Sequence, residues 1–294
     1  MFGPLESADE INKISDRLLR SADAYGRFPT PVDDILAAAK LVQTPEYVFD
    51  DSLIAKAPAW IRQTLRSAKH KIQGLVDRRE RVVHIAPAIE NEGKRRFVTL
   101  HETIHAATPH QQDLLYADND ETLSRTTNQL FEREANYGAA EVLFQRSYFT
   151  RDAKNLEIST DSVWLLAHQY GSSFHAALWR YAETHGHAVA AIVLGRTPVA
   201  SNPSRWQRQM AVASPSWIDQ FGTVAWPRSM SSLTYPFLAA LDHVEVDEVR
   251  INNVRGERVD IQVSACQTPY NSFVLLSVPK RARIRRPVRV RVAS

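Results

Sequence analysis

Two histidines four residues apart, His101 and His105, bracket the run His101-Glu102-Thr103-Ile104-His105. On a helix, positions i and i+4 share a face. Both imidazoles can then reach one tetrahedral ion, with Zn–N bonds of about 2.0–2.1 Å. Glu102 lies one residue round from His101, beside such an ion rather than on it. A carboxylate placed there can take a proton from an activated water. The pattern H-E-x-x-H is scarce: a chain with ten histidines among 294 residues is expected to show about 0.02 chance occurrences. The chemistry indicated is metal-assisted hydrolysis. Zn2+ is the expected ion, and similar ligands accept other divalent metals.

A catalytic ion of this kind takes three protein ligands and keeps one position for water. A third histidine at the spacing H-E-x-x-H-x-x-G-x-x-H fails, because Thr108 and Gln111 occupy the required positions. His110 is one residue off that register and follows Pro109, so it reads as a loop histidine. The next helix carries Leu130-Phe131-Glu132-Arg133-Glu134-Ala135-Asn136-Tyr137. It offers Glu132 as third ligand, with Glu134 as the alternative. Asn136 shares the face of Glu132 and can orient a metal-bound histidine through its other ring nitrogen. An oxyanion or substrate-contacting donor is also needed, and Tyr137 and His110 are the candidates.

The elements that must position these residues follow from periodicity. Residues 7–24 read as a helix on Ile11, Ile14, Leu18 and Leu19. Pro31 opens a second, Val32 to Lys40, and a third covers Ser52 to Ala68. Residues 71–86 read as a hairpin turning at Asp77-Arg78-Arg79-Glu80, with Val82 to Ile85 in its second strand. The motif helix runs from about Glu90 to Ala107. After a polar stretch to Glu121, a helix capped by Asp120 or Thr122 runs to about Arg146. Helices over 161–170 and 173–185 flank Gly171. Beyond His187 the expected elements are strands at Val189–Leu194, Val244–Ile251, Arg258–Ser264 and Ser272–Val278, with a helix at Ser231–His243.

With 294 residues, 44% of them hydrophobic and 23% charged, the chain is long enough for about two domains of ordinary globular composition. Cys266 is the single cysteine, which excludes an intramolecular disulfide and fits a reducing compartment. No run of 18 apolar residues exists, and the N-terminus lacks a basic lead into an apolar stretch. The expectation is a cytoplasmic protein with no membrane partner. The formal charge of +3 is misleading, because Lys280, Arg281, Arg283, Arg285, Arg286, Arg289 and Arg291 account for seven positive charges; without them the body carries −4. The high pI describes a tail, so nucleic acid is at most a secondary partner.

These residues resemble the ImmA/IrrE-type metallopeptidases over roughly residues 10–185. The likeness rests on Arg95-Arg96-Phe97-Val98-Thr99-Leu100-His101-Glu102 and on Glu132-x-Glu134-Ala135-Asn136-x-x-Ala139-Ala140-x-x-Leu143. Val82 to Ile85 matches a strand that the family places at the active-site edge. The resemblance implies zinc on His101, His105 and Glu132, with Glu102 as base. It also implies a narrow-specificity endopeptidase that cleaves a helix-turn-helix transcriptional repressor and derepresses phage, mobile-element or stress-response genes. Three positions depart from the pattern: Ile104 where a small residue is frequent, Gly138 for the usual Phe, and Gln145 for the usual Pro.

The expected class is α+β. A mainly helical, zincin-like peptidase domain with a small β-hairpin or sheet covers 1–150. A helix-turn-helix-like pair covers 151–187, and an α+β domain with the basic tail 280–291 covers 188–294. Arg180 is the only fixed positive charge on the second helix of the pair, so packing is expected there rather than base readout. A sensor or docking role for 188–294 follows only by analogy. The alternative to an enzyme is a regulatory binding protein, a repressor or antitoxin partner or a DNA-associated regulator, that keeps the fold without proteolysis.

Overall fold

The computed structural model describes residues 5–44, 73–111, 125–195, 205–223, 226–242 and 248–279. The helix expected at Ser52–Ala68, the polar stretch after Gln111, its capping residues and the basic tail lie outside these residues. The chain is α+β and divides into two compact units. One comprises Met1–Ala153 with Trp164–Ala177, and the other Lys154–Val163 with Leu178–Ser294.

In the first unit, helix α1 (Ala8–Ser21) buries Ile11, Ile14, Ser15, Leu18 and Leu19 along one stripe. Helix α2 (Val32–Ala38) adds Ile35 and Leu36. A three-stranded sheet follows, in the order β1 (Val42–Thr44), β3 (Val82–Ile85), β2 (Gly74–Asp77). Strand β3 is parallel to β1 and antiparallel to β2. It is therefore the central strand, which corrects its expected place at the sheet edge. Val83 and Ile85 point into a core with Leu36, Leu41, Ile89, Val98 and Ala106, which is why the most apolar of the three strands takes the middle. Among the described residues, β2 has its second edge unpaired.

Helix α3 (Glu92–Ala107) is capped by Asn91, whose side chain accepts from the Lys94 N–H at 2.8 Å. Helix α4 (Arg125–Phe144) packs against both α3 and α1. It stops where Gln145 and Arg146 take positive φ. Gln145 is fully buried and holds the 24–30 loop: its amide donates to the Ala24 and Arg27 carbonyls and the Thr30 hydroxyl, and accepts from the Gly26 N–H. Helix α5 (Ser147–Lys154) then sets Phe149 against Phe144 and Tyr170.

Helices α6 (Thr160–Tyr170) and α7 (Phe174–Thr184) meet at Gly171, which has φ +59°. A methyl group on Gly93, in the first turn of α3, would lie 2.2 Å from the Ser172 carbonyl carbon, so the turn between these helices lies hard against α3. Phe174, Ala177, Leu178, Tyr181 and Ala182 are all buried, and so is Arg180.

The second unit holds a six-stranded antiparallel sheet, β6-β5-β4-β9-β8-β7. The strands are β4 (Val189–Gly195), β5 (Arg205–Ala213), β6 (Ser229–Ser231), β7 (Glu248–Asn252), β8 (Arg258–Gln267) and β9 (Asn271–Ser277). Central β4 is buried nearly throughout, as its unbroken apolar run requires. Ala190, Ile192, Leu194, Val274, Leu276 and Trp206 form a core with Trp217 of helix α8 (Pro215–Phe221) and Phe237 and Leu238 of a 3₁₀ turn over Pro236–Asp242. That short 3₁₀ turn replaces the helix expected over Ser231–His243.

Candidate metal centre

Helix α3 presents His101 and His105 one turn apart, with ring centroids 4.7 Å from each other. Helix α4 brings Glu132 to the same point. Its Oε2 lies 3.4 Å from His101 Nε2 and its Oε1 3.5 Å from His105 Nε2. The two Nε2 atoms are 3.0 Å apart. The three donors all lie within 4.8 Å of one another. A tetrahedral ion with bonds of about 2.0–2.1 Å separates its ligand atoms by roughly 3.3–3.4 Å, so the spacing fits a small divalent cation.

Close approach of the two helices produces this meeting. A methyl on Gly138 would stand 2.9 Å from three carbons of Ile104. The large residue on α3 thus fills the space the missing side chain on α4 leaves. Two of the three departures from the family pattern compensate each other.

The proton placement also favours a cation. Asn136 Oδ1 is 3.2 Å from His101 Nδ1, and Gln111 Oε1 is 2.7 Å from His105 Nδ1. With carbonyl oxygens facing them, both Nδ1 atoms act as donors, which leaves the two Nε2 atoms turned toward Glu132, where a proton or an ion joins them to its carboxylate. Glu132 is held well below the usual carboxylate range by the hydrogen bonds from His101 and His105, which leaves it ionised as a ligand requires. His105 shifts upward: burial opposes its charge, and the bonds to Glu132 and Gln111 outweigh burial.

Glu102 is 8% exposed and is not among the three donors that meet. Burial pushes its carboxyl up, against the pull of His101 and His105. A methyl on Gly74 of β2 would meet Glu102 Oε1 at 2.7 Å and Val98 Cγ1 at 2.7 Å. Bare backbone at Gly74 is therefore the wall against which the Glu102 carboxylate rests. Arg78 donates to the His105 and Gln111 carbonyls at 3.1 and 3.0 Å, tying the end of the motif helix to the β2–β3 turn.

Other expected residues go elsewhere. Glu134, the alternative ligand, is buried and accepts from Ser7, His110 and Gln111 rather than joining the triangle. Its carboxyl is held low: burial opposes ionisation, and those three bonds outweigh it. His110 spends its ring nitrogens on Glu134 and Glu10. The Tyr137 hydroxyl donates to Asn12 on α1 at 3.1 Å. Neither is directed at the triangle by these contacts. Sequence reasoning missed Gln111, Gly74 and Arg78. Only Gln111 carried a signal, as a polar residue shortly after the motif helix.

Residues 62–181 match the family model of the IrrE N-terminal-like domain of the M78 peptidases. The match falls within the span of the resemblance read from the sequence, and it contains every residue of the triangle. The chain is also similar in structure to a Mycobacterium tuberculosis transcriptional regulator, at 17% identity and a TM-score of 0.46 over 91% of this chain and 74% of that one. No curated protein matches. Among the described residues, no helix is long and apolar enough to cross a membrane.

Proposed function

We propose that this protein is a zinc-dependent endopeptidase of narrow specificity whose ion is held by His101, His105 and Glu132. The observation that carries the reading is a ligand triangle of tetrahedral size beside a buried, non-ligating carboxylate, Glu102. When bound, zinc supplies Lewis acidity to a water and to the scissile carbonyl. Glu102 accepts the proton of the attacking water and delivers it to the leaving amine, a role served by a carboxyl raised by burial. The edge of β2 that is unpaired among the described residues suits strand addition by an extended peptide, which would run its backbone past Glu102. Family resemblance points to a helix-turn-helix repressor as the substrate.

Glu102→Gln separates proteolysis from binding. The variant is expected to keep zinc and lose about 10²- to 10⁴-fold in cleavage of a co-expressed repressor, followed by immunoblot and by the transcription it controls. Transcription that responds as in wild type would replace the enzyme with a regulatory binding protein.

A further inference from the structure

We propose that Glu134 and Gln111 form a hydrogen-bonded relay that fixes His105 as its Nδ1–H tautomer, which makes both of them positioning residues for the metal centre. This rests on the metal-centre reading above. Glu134 and Gln111 are 1% and 0% exposed, so the relay is closed to water. The Glu134 carboxylate receives Ser7 Oγ at 2.5 Å, Gln111 Nε2 at 2.7 Å and His110 Nε2 at 2.8 Å. An ionised carboxylate only accepts, so the Gln111 amide must turn its NH₂ to Glu134 and its carbonyl to His105. That carbonyl, 2.7 Å from His105 Nδ1, also only accepts. A proton must then sit on Nδ1, which in the neutral ring leaves the Nε2 lone pair toward His101 and Glu132. His101 has a looser partner, Asn136, at 3.2 Å on an exposed side chain. One helix thus delivers a ligand at 132 and, two residues on, the buried anchor for a second ligand.

The test uses the full chain with Gln111→Ala and the exchanged pair Gln111→Glu/Glu134→Gln, which rebuilds the relay with donor and acceptor reversed. Gln111→Ala is expected to weaken zinc binding about 10- to 100-fold in chelator competition, and the exchanged pair to recover most of it. Nitrogen-15 NMR of the metal-free proteins is expected to show His105 as Nδ1–H in wild type and the exchanged pair, and as mixed tautomers in Gln111→Ala. Unchanged tautomers and zinc affinity in Gln111→Ala would overturn the relay, as would an exchanged pair as weak as the single variant. A wild-type protein that binds no zinc defeats the metal reading instead, and the metal-free tautomers still decide the relay.

Discussion

Ile104 and Gly138 break the pattern of related sequences, each alone reading as a defect. A helix-interior glycine costs roughly 1 kcal/mol against alanine, and a bulky residue on α3 should push α4 away. The structure sets one into the other, at 2.9 Å from where a Cβ would stand. Gly138→Ala therefore gains roughly 1 kcal/mol of helix propensity and loses about 1–3 kcal/mol to overpacking, a net loss of up to about 2 kcal/mol. In an Ile104→Ala background the same change should cost little. A double-mutant cycle by urea denaturation reads the coupling, and additive effects would mean the two residues do not share this space. The pairing of His101 with His105 was legible in the sequence, because i,i+4 spacing on a helix is a local rule, whereas the sequence left Glu134 open beside Glu132. Glu134 as anchor was not, because inward and outward positions two residues apart look alike until a partner helix is in place. Gln145 was illegible for the same reason, since its acceptors lie more than a hundred residues away in sequence.

Strand Val82–Ile85 was read as the second arm of a hairpin, but a hairpin reading does not say how many neighbours a strand has. Its parallel partner Val42–Thr44 is short and mostly exposed, with no apolar run to announce it. The strand left at the edge, β2, is the one that touches Glu102. Gly74→Ala should displace that carboxylate, because a Cβ would meet it at 2.7 Å, while leaving the ligand triangle intact. Turnover is expected to fall at least about tenfold with zinc content per chain unchanged; equal turnover would show that Gly74 does not set the position of the base. Strand β5 was not read from the sequence: Arg205, Gln207, Arg208 and Gln209 leave it no apolar run, and only Trp206 and Met210 mark its inner face.

Each unit has its own core, and only the first contains the triangle. Around the six-stranded sheet, Trp206 is 2% exposed in a cluster with Trp217, Phe237 and Leu238. Trp206→Ala should destabilise that unit by about 3–5 kcal/mol, seen as a lowered melting transition with zinc still bound to the other unit; a simultaneous loss of zinc would show that the site depends on the sheet. The claim on which the account turns is metal at His101, His105 and Glu132, and elemental analysis of the purified protein tests it directly. One zinc per chain in wild type and none in His105→Ala is the expected result. No stoichiometric ion in wild type, or equal zinc in both proteins, would contradict it.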